Sequence, residues 1–314
     1  MLSNEDLRSL PSIRGIPMEL RQLEHFVVLA EHSSFTRAAE RLNLVQSALS
    51  VSIRKLEKDL GAALFERTSR GVRLTQAGEA LLPAALRVLR EVEAARDEVA
   101  AVRGVVRGRL RIGMMQSLAL IDAGTLFTKF HRAHPGVVIE PRPAPGGSLT
   151  LARQVRDGDL DLAFAWVPPA WAHGLRVAEL AREPIVLAAP ADHRLPDGEV
   201  RIADLDGEAF VDFPEGWGAR ALTDEAFREA GVRRSVAVEV ADIMTCAELV
   251  RAGFGVAIVP RSHVRRARGL VWRRVAGLPP WGVSLVAPSG RRLTSAASAF
   301  ADLVCTTFGV TLSP

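Results

Sequence analysis

The chain reads as an α plus α/β protein: a helical block, one long helix, then a larger block in which strands and helices alternate. Three observations carry this. From Met18 to about Val106 every signal is helical except a short Gly-containing stretch around Ser69–Thr75. From about Arg109 onward short β-rich runs alternate with helical stretches, the pattern of an α/β domain with mainly parallel sheet. Between the two, apolar residues repeat in heptads. The 314 residues suit about two domains, large enough to bury a core without staples.

Composition narrows the class. Hydrophobic residues at 48% and charged residues at 24% are those of a packed soluble protein. Lys+Arg at 40 against Asp+Glu at 36 leave a net +4, which permits nucleic-acid binding without arguing for it. Two cysteines, Cys246 and Cys305, exclude a disulfide scaffold and a cysteine-based zinc site. No apolar run approaches the ~18 residues of a membrane helix, and the first segment lacks the apolar core of an export signal. A cytoplasmic protein with no membrane partner is expected. Residues 1–17, with Pro11, Gly15 and Pro17, read as a flexible leader, which leaves Met18 open as the biological start.

In the helical block, Leu20, Leu23, Val27 and Ala30 form one apolar stripe. Ser34 offers an N-cap for a short helix carrying Phe35, Ala38, Ala39 and Leu42. After a tight break at Asn43 and Leu44, a third helix runs from about Val45 to Leu60 and stops at Gly61. Leu49, Ile53, Leu56 and Leu60 are its buried stripe. Ser47, Ser50, Val51, Arg54 and Lys58 gather on the opposite face. Small polar residues with cations beyond them suit a helix inserted in a major groove, and equally the solvated outer face of any three-helix bundle. Arg67, Arg70 and Arg73 around Gly71 make a compact basic hairpin, either a wing against the DNA backbone or a charged loop.

The stretch 18–82 resembles the winged helix-turn-helix of LysR-type transcriptional regulators. The resemblance rests on Leu20-Arg21-Gln22-Leu23, Phe26, Ser34-Phe35-Thr36-Arg37-Ala38-Ala39, Gln46-Ser47-Ala48-Leu49-Ser50, Ile53, Leu56-Glu57, Leu60-Gly61, Leu64-Phe65-Glu66-Arg67 and Leu74-Thr75-Gln76-Ala77-Gly78. The resemblance implies that Gln46, Ser47, Ser50 and Arg54 fall on the DNA-reading helix and Arg67 and Arg70 near the wing; with Ser34, Thr36, Arg37, Val51 and Lys58 they make up the expected DNA-binding set. Val51 and Ser52 stand where many relatives carry arginine and glutamine, so base readout there is expected to differ. Val45 replaces a common serine, leaving Asn43 as the expected N-cap.

The long helix, capped by Thr75, runs from Gln76 to about Arg103, roughly 28 residues or ~42 Å. Leu81, Ala85, Val88, Val92, Ala95, Val99 and Val102 alternate at spacings of 4 and 3, the seam of a helix that pairs with another helix. A helix packed on its own domain is the other possibility. Pro83 should kink or loosen one turn. The resemblance implies an antiparallel linker pair joining two subunits, with Gly104 and Gly108 as a hinge.

Residues 109–314 resemble the family's effector domain, two α/β subdomains built like a periplasmic solute-binding protein. The marks are Arg109-Leu110-Arg111-Ile112-Gly113, Phe130 with His134-Pro135, Gly158-Asp159-Leu160-Asp161-Leu162 and Leu249-Val250-Arg251-Ala252-Gly253, then Gly255 and Pro260. The expected organisation is a leader (1–17), a DNA-binding domain (18–75), a linker (76–106) and a regulatory domain (107–314). Its first subdomain should comprise about 109–189 and 261–314, its second about 190–260, with the chain crossing near Ala189–Pro190 and Pro260–Arg261.

A ligand in such a fold binds beyond the carboxyl ends of strands, where helix N-termini favour anions. Those ends carry Gln116, Ser117, Ser148, Trp166, Phe213, Trp217 and Asp242. Ser117, Ser148 and Asp242 are either ligand contacts or plain N-caps, and Trp166 and Trp217 either cleft walls or core. Donors at one end and flat apolar surface at the other suit a small organic anion such as a carboxylate. No GxSxG, Walker or GxGxxG motif and no HExxH argue for an enzyme. Asp157, Asp159 and Asp161 fit a turn better than a metal site, so no catalytic residue, metal or cofactor is assigned. The expected partners are double-stranded DNA, the chain itself as dimer or dimer of dimers, and RNA polymerase. A solute-binding module and a thiol-based redox sensor are the competing functions.

Overall fold

The computed structural model describes residues 18–68, 71–101, 105–265 and 267–312. The leader, Arg70, Val102 and Gly104 therefore lie outside the described residues. The chain divides after Arg96 into two compact units.

In the first unit, α1 (Leu20–His32), α2 (Phe35–Arg41) and α3 (Gln46–Leu60) pack against one another. They are followed by the antiparallel hairpin β1 (Phe65–Thr68) and β2 (Gly71–Leu74), then by α4 (Gln76–Ala101), whose residues from Asp97 belong to the second unit. Leu23, Phe26, Leu29, Leu49, Ile53, Leu56 and Leu64 are all at most 2% exposed and form the core. Each such side chain contributes roughly 1.5–3 kcal/mol of burial.

Three sequence expectations shift here. Leu20 is 46% exposed, and the buried stripe of α1 runs through Leu23, Phe26 and Leu29. Phe26 draws it there because its ring meets Phe65 of the hairpin, centroids 5.4 Å apart. Leu60 is 41% exposed, since the last turn of α3 runs past the core. The N-cap of α3 is Val45 rather than Asn43, which sits in the left-handed region at φ 53°. Ser34 does cap α2, accepting the Arg37 N–H at 3.4 Å. Thr75 accepts the Gly78 N–H at 3.2 Å at the start of α4.

The hairpin is pinned near its turn. The Val72 N–H donates to Ser33 O at 3.2 Å. Gly71 has φ +135°, and a Cβ there would lie 2.5 Å from the same carbonyl oxygen, so only glycine fits.

In the second unit the first sheet has the order β4-β3-β5-β12-β6, formed by β3 (Gly108–Met114), β4 (Val137–Pro143), β5 (Leu162–Ala165), β6 (Leu175–Glu183) and β12 (Trp281–Pro288). β3 runs parallel to β4 and β5, but β12 is antiparallel to both β5 and β6. The sheet is thus mixed rather than mainly parallel, because a strand returning from the second subdomain enters from the opposite end. α5 (Ala123–Ala133), α6 (Gly147–Asp157) and α10 (Ser295–Phe308) belong with it.

The second subdomain has β7 (Ile185–Pro190) between β10 (Ala257–Pro260) and β11 (Leu270–Arg274), antiparallel to both. A parallel pair, β8 (Ala209–Asp212) and β9 (Ser235–Glu239), completes it, with α7 (Gly218–Ala230), α8 (Ile243–Arg251) and α9 (Arg261–Val264). The crossings therefore differ from the expected ones. The chain leaves the first sheet at Pro184, before β7, and returns between β11 and β12. The apolar run 185–189 marks a buried strand without saying which sheet it joins, and strand pairing alone decides that.

Candidate functional site

The first candidate surface is the outer side of α2 and α3. Ser47, Val51, Arg54 and Lys58 are exposed along α3, and Gln46 opens it. Ser50 is half-buried and accepts from Arg54 Nη1 at 2.9 Å, which holds the guanidinium along the helix. The Thr36 hydroxyl of α2 approaches Gln46 Oε1 at 3.5 Å, bringing the two helices' polar residues together. Arg37 is exposed, but its Nη2 donates to His32 O at 2.7 Å, and Ser34 is occupied as a cap. Both serve the turn as well as the surface. No side chain caps the N-terminus of α3, leaving amide donors for an anion such as phosphate. Arg67 is exposed on β1. Arg70 lies outside the described residues. Ser52, which is half-buried, makes a hydrogen bond with His25 Nδ1 at 2.7 Å.

Along α4 the expected seam splits. Ala85 is buried and Leu81 half-buried, both packed on the first unit's core. Val88 is 40% exposed, Val99 is 67% exposed, Ala95 is exposed and Val92 half-buried. Val102 lies outside the described residues. The first turns of the heptad therefore pack intramolecularly, and an apolar stripe continues beyond them.

The second candidate site is the cleft between the two subdomains of the second unit. Met115, Gln116 and Ser117 follow β3, Ser148 sits in the first turn of α6, and Phe213, Trp217, Gly218 and Ala219 come from the loop after β8 and the start of α7. Ile243, Pro260, His263 and Trp281 close it. Of the residues expected from sequence, Gln116, Ser117, Ser148, Phe213 and Trp217 meet here. Trp166 lies one layer behind, stacked on Trp281 at 5.3 Å and 14°. Asp242 does not line the cleft. It is exposed and caps α8, accepting the Thr245 N–H at 2.6 Å and the Thr245 hydroxyl at 2.7 Å, which hold its carboxyl below the usual range.

Ser117 and Ser148 are not N-caps. α5 begins only at Ala123, on Asp122, so Leu120 precedes it, and the N-cap of α6 is Gly146. Each hydroxyl instead accepts a backbone N–H, Ser148 from Trp166 at 3.2 Å and Ser117 from Ala119 at 3.3 Å. That leaves its own proton to donate. The Gln116 amide is fixed by donating to Ala144 O. The α6 and α7 N-termini, capped by no side chain, contribute Ser148, Gly218 and Ala219 to the wall.

Trp217 ties the subdomains together. Its Nε1–H donates to Pro145 O at 2.9 Å, and its ring stacks on Phe213 at 5.2 Å and 13°. A Cβ on Gly147, at φ +69°, would come within 2.8 Å of the Trp217 Cα, so the approach requires glycine. Behind Phe213, Asp212 accepts its N–H at 2.8 Å and Arg220 donates to its carbonyl at 2.9 Å. Asp212 is in turn paired with buried Arg234 at 2.9 Å. The space left in the cleft is about 20 Å³, room for about one water.

His263 and Trp281 escaped the sequence reading. A lone histidine after Pro260 and a tryptophan opening a strand carry no local mark of a site. Burial pushes the His263 imidazole down to about 4. The cysteines do not form a reactive pair of thiolates. Burial, with Asp212 and Asp242 nearby, pushes the Cys246 thiol up to about 12, and burial raises Cys305 as well. Asp161 is buried and accepts the Arg111 N–H at 2.8 Å, a structural role. No group of His, Cys, Asp and Glu suited to a metal ion occurs among the described residues. No helix among them is long and apolar enough to cross a membrane.

Known proteins share this architecture. Residues 20–79 match the family described as bacterial regulatory helix-turn-helix protein, lysR family, and residues 103–308 match the LysR substrate binding domain. The chain is 35% identical to the transcriptional regulator CfxR of Cupriavidus necator over 243 residues, 77% of this chain and 75% of that protein. It is 36% identical to the regulator ShiR of Corynebacterium glutamicum over 246 residues, 77% of this chain and 82% of that one. The structure of full-length CbnR complexed with its target DNA matches with a TM-score of 0.66 at 25% identity, covering 92% of this chain and 100% of that one. With a reading-helix domain, a long helix and a two-subdomain cleft in one chain, this protein belongs to the LysR family: it is a DNA-binding transcriptional regulator with an effector-binding domain, and not an enzyme.

Proposed function

We propose that the chain is a cytoplasmic, ligand-responsive regulator that binds an inverted-repeat operator as a homodimer or dimer of dimers and senses a small organic anion in the cleft. The polarity of the cleft carries the ligand assignment. Ser117 and Ser148 each accept one backbone N–H and keep the hydroxyl proton, so each can offer a ligand a donor. Phe213, Trp217 and Trp281 supply apolar surface beside them. A carboxylate with a short apolar body satisfies both. The space of about 20 Å³ must widen to admit it, and the Trp217–Pro145 bond spans the cleft that widens.

On the DNA side, Gln46, Ser47, Ser50 and Val51 are the base-reading set, with Thr36 and Arg37 beside them. Arg54, Lys58, Arg67 and Arg70 hold phosphates. Val51, 56% exposed, suits contact with a thymine methyl. Footprinting on the DNA flanking the protein's own gene tests the whole reading. A protected, two-fold symmetric region should appear, and Arg54→Ala should abolish it at moderate salt. Equal, sequence-indifferent protection by wild type and variant would refute it.

A further inference from the structure

One polar atom of the cleft has no partner. His263 Nδ1 is screened from solvent and makes no hydrogen bond among the described residues, yet its ring lines the same cavity as Ser117 and Ser148. Its position is imposed by its neighbours. Pro260 caps α9, and Ser262 donates both its N–H and its hydroxyl to Glu183, at 2.7 Å each. Buried polar groups are nearly always paired, so an unpaired nitrogen on a ring that lines a binding cleft marks a place for a ligand atom.

We propose that His263 is the recognition residue for the acidic end of the effector, its imidazole taking one proton from solvent as the carboxylate binds. This rests on the reading of the cleft as an organic-anion site. The balance is simple: an anionic carboxylate and a neutral imidazole plus one proton give a neutral buried pair. No resident group supplies that counter-charge. The elements packed against α9 carry Glu248 and Arg251 on α8, with Asp242 at its cap, and Arg273 and Arg274 on β11; β7 and β10 carry no charge. Arg261 and Arg265 flank the ring on its own element, and Glu183 is engaged with Ser262. Across the cavity Gln116, Ser117, Ser148 and Trp217 are uncharged. None of these groups offsets the burial that holds the imidazole neutral down to about 4. An incoming anion does.

The test is calorimetry on the full-length protein with acetate, propionate and benzoate, and chloride as the ionic-strength control, in buffers of differing ionisation enthalpy. An anion in contact raises a histidine by ~1–3 pH units, and a rise in the upper half of that range makes the wild type bind a carboxylate roughly four- to twentyfold more tightly at pH 5.5 than at pH 7.5 and take up most of one proton at the lower pH. His263→Gln and His263→Asn should bind more weakly, with neither proton uptake nor that pH dependence. A pH profile retained in both variants would overturn the role of His263 and leave the anion reading intact. No carboxylate binding to wild type would overturn both. Should the variants fail to fold, nitrogen resonances of the wild-type ring decide: they must move to the imidazolium position when the carboxylate binds, and unshifted resonances overturn the proposal.

Discussion

Ser148 is 2% exposed, and its hydroxyl oxygen takes the Trp166 N–H just past the end of β5. Ser148→Ala removes that acceptor and strands a buried donor. Urea unfolding should register a loss of about 1–3 kcal/mol, and the stabilisation by a bound carboxylate should vanish with it. A stability unchanged from wild type would mean that the hydroxyl is not the partner. The residues of the cleft were legible in the sequence where chain geometry dictated them. Gln116, Ser117, Ser148, Phe213 and Trp217 all follow strand ends or open helices, where a fold of this kind collects ligand contacts. Asp242 fitted the same rule and is only a cap, because a short carboxyl next to its own helix start closes on Thr245. His263 was invisible because its significance is a missing partner, and partners across a cleft are not written in local sequence.

At the level of elements, α4 divides its heptad between positions packed on the core and exposed positions. Leu81 and Ala85 pack on the first unit's core, so the repeat is partly spent inside the chain. Beyond them Val88, Val92, Ala95 and Val99 continue the stripe, and Val88 and Val99 stand 40% and 67% exposed. Val99→Asp and Val92→Asp place charge in that stripe. Sedimentation should show the dimer dissociating in both variants, while the isolated fold, read by circular dichroism, stays intact. Dimers of undiminished strength would remove α4 from the interface. The stripe itself was readable from spacing. Its division between inner and outer duty was not, since a heptad states a period and not a partner. The same limit displaced the α1 stripe from Leu20 to Phe26, because a ring contact with Phe65 of the distant hairpin outweighs an apolar residue at a helix end.

For the whole molecule, a two-fold assembly with one reading helix per subunit requires an operator of matching symmetry, with half-sites one helical turn or a multiple apart. Binding to a full site should exceed binding to a single half-site by orders of magnitude, and, with Arg54, Lys58 and Arg67 as the proposed phosphate contacts, should weaken steeply as salt is raised because DNA counterions are released. Titration of labelled full and half sites checks this. Equal affinity for both would show that the functional reader is a monomer.

Periodicity, caps and the strand–helix alternation determined the helical reader, the long helix and the two-subdomain α/β unit, because these are local decisions made by residues a few positions apart. Ser34, Gly61 and Thr75 ended or began their helices as their chemistry requires. Tertiary structure alone decided which sheet owns 185–190, the antiparallel entry of β12, the Trp217–Pro145 tie across the cleft and the isolation of His263. Each of these is a pairing, or an absent pairing, between residues far apart in the chain. A strand's hydrogen bonds, an indole N–H and a buried imidazole are satisfied by whichever partner the packed fold brings near.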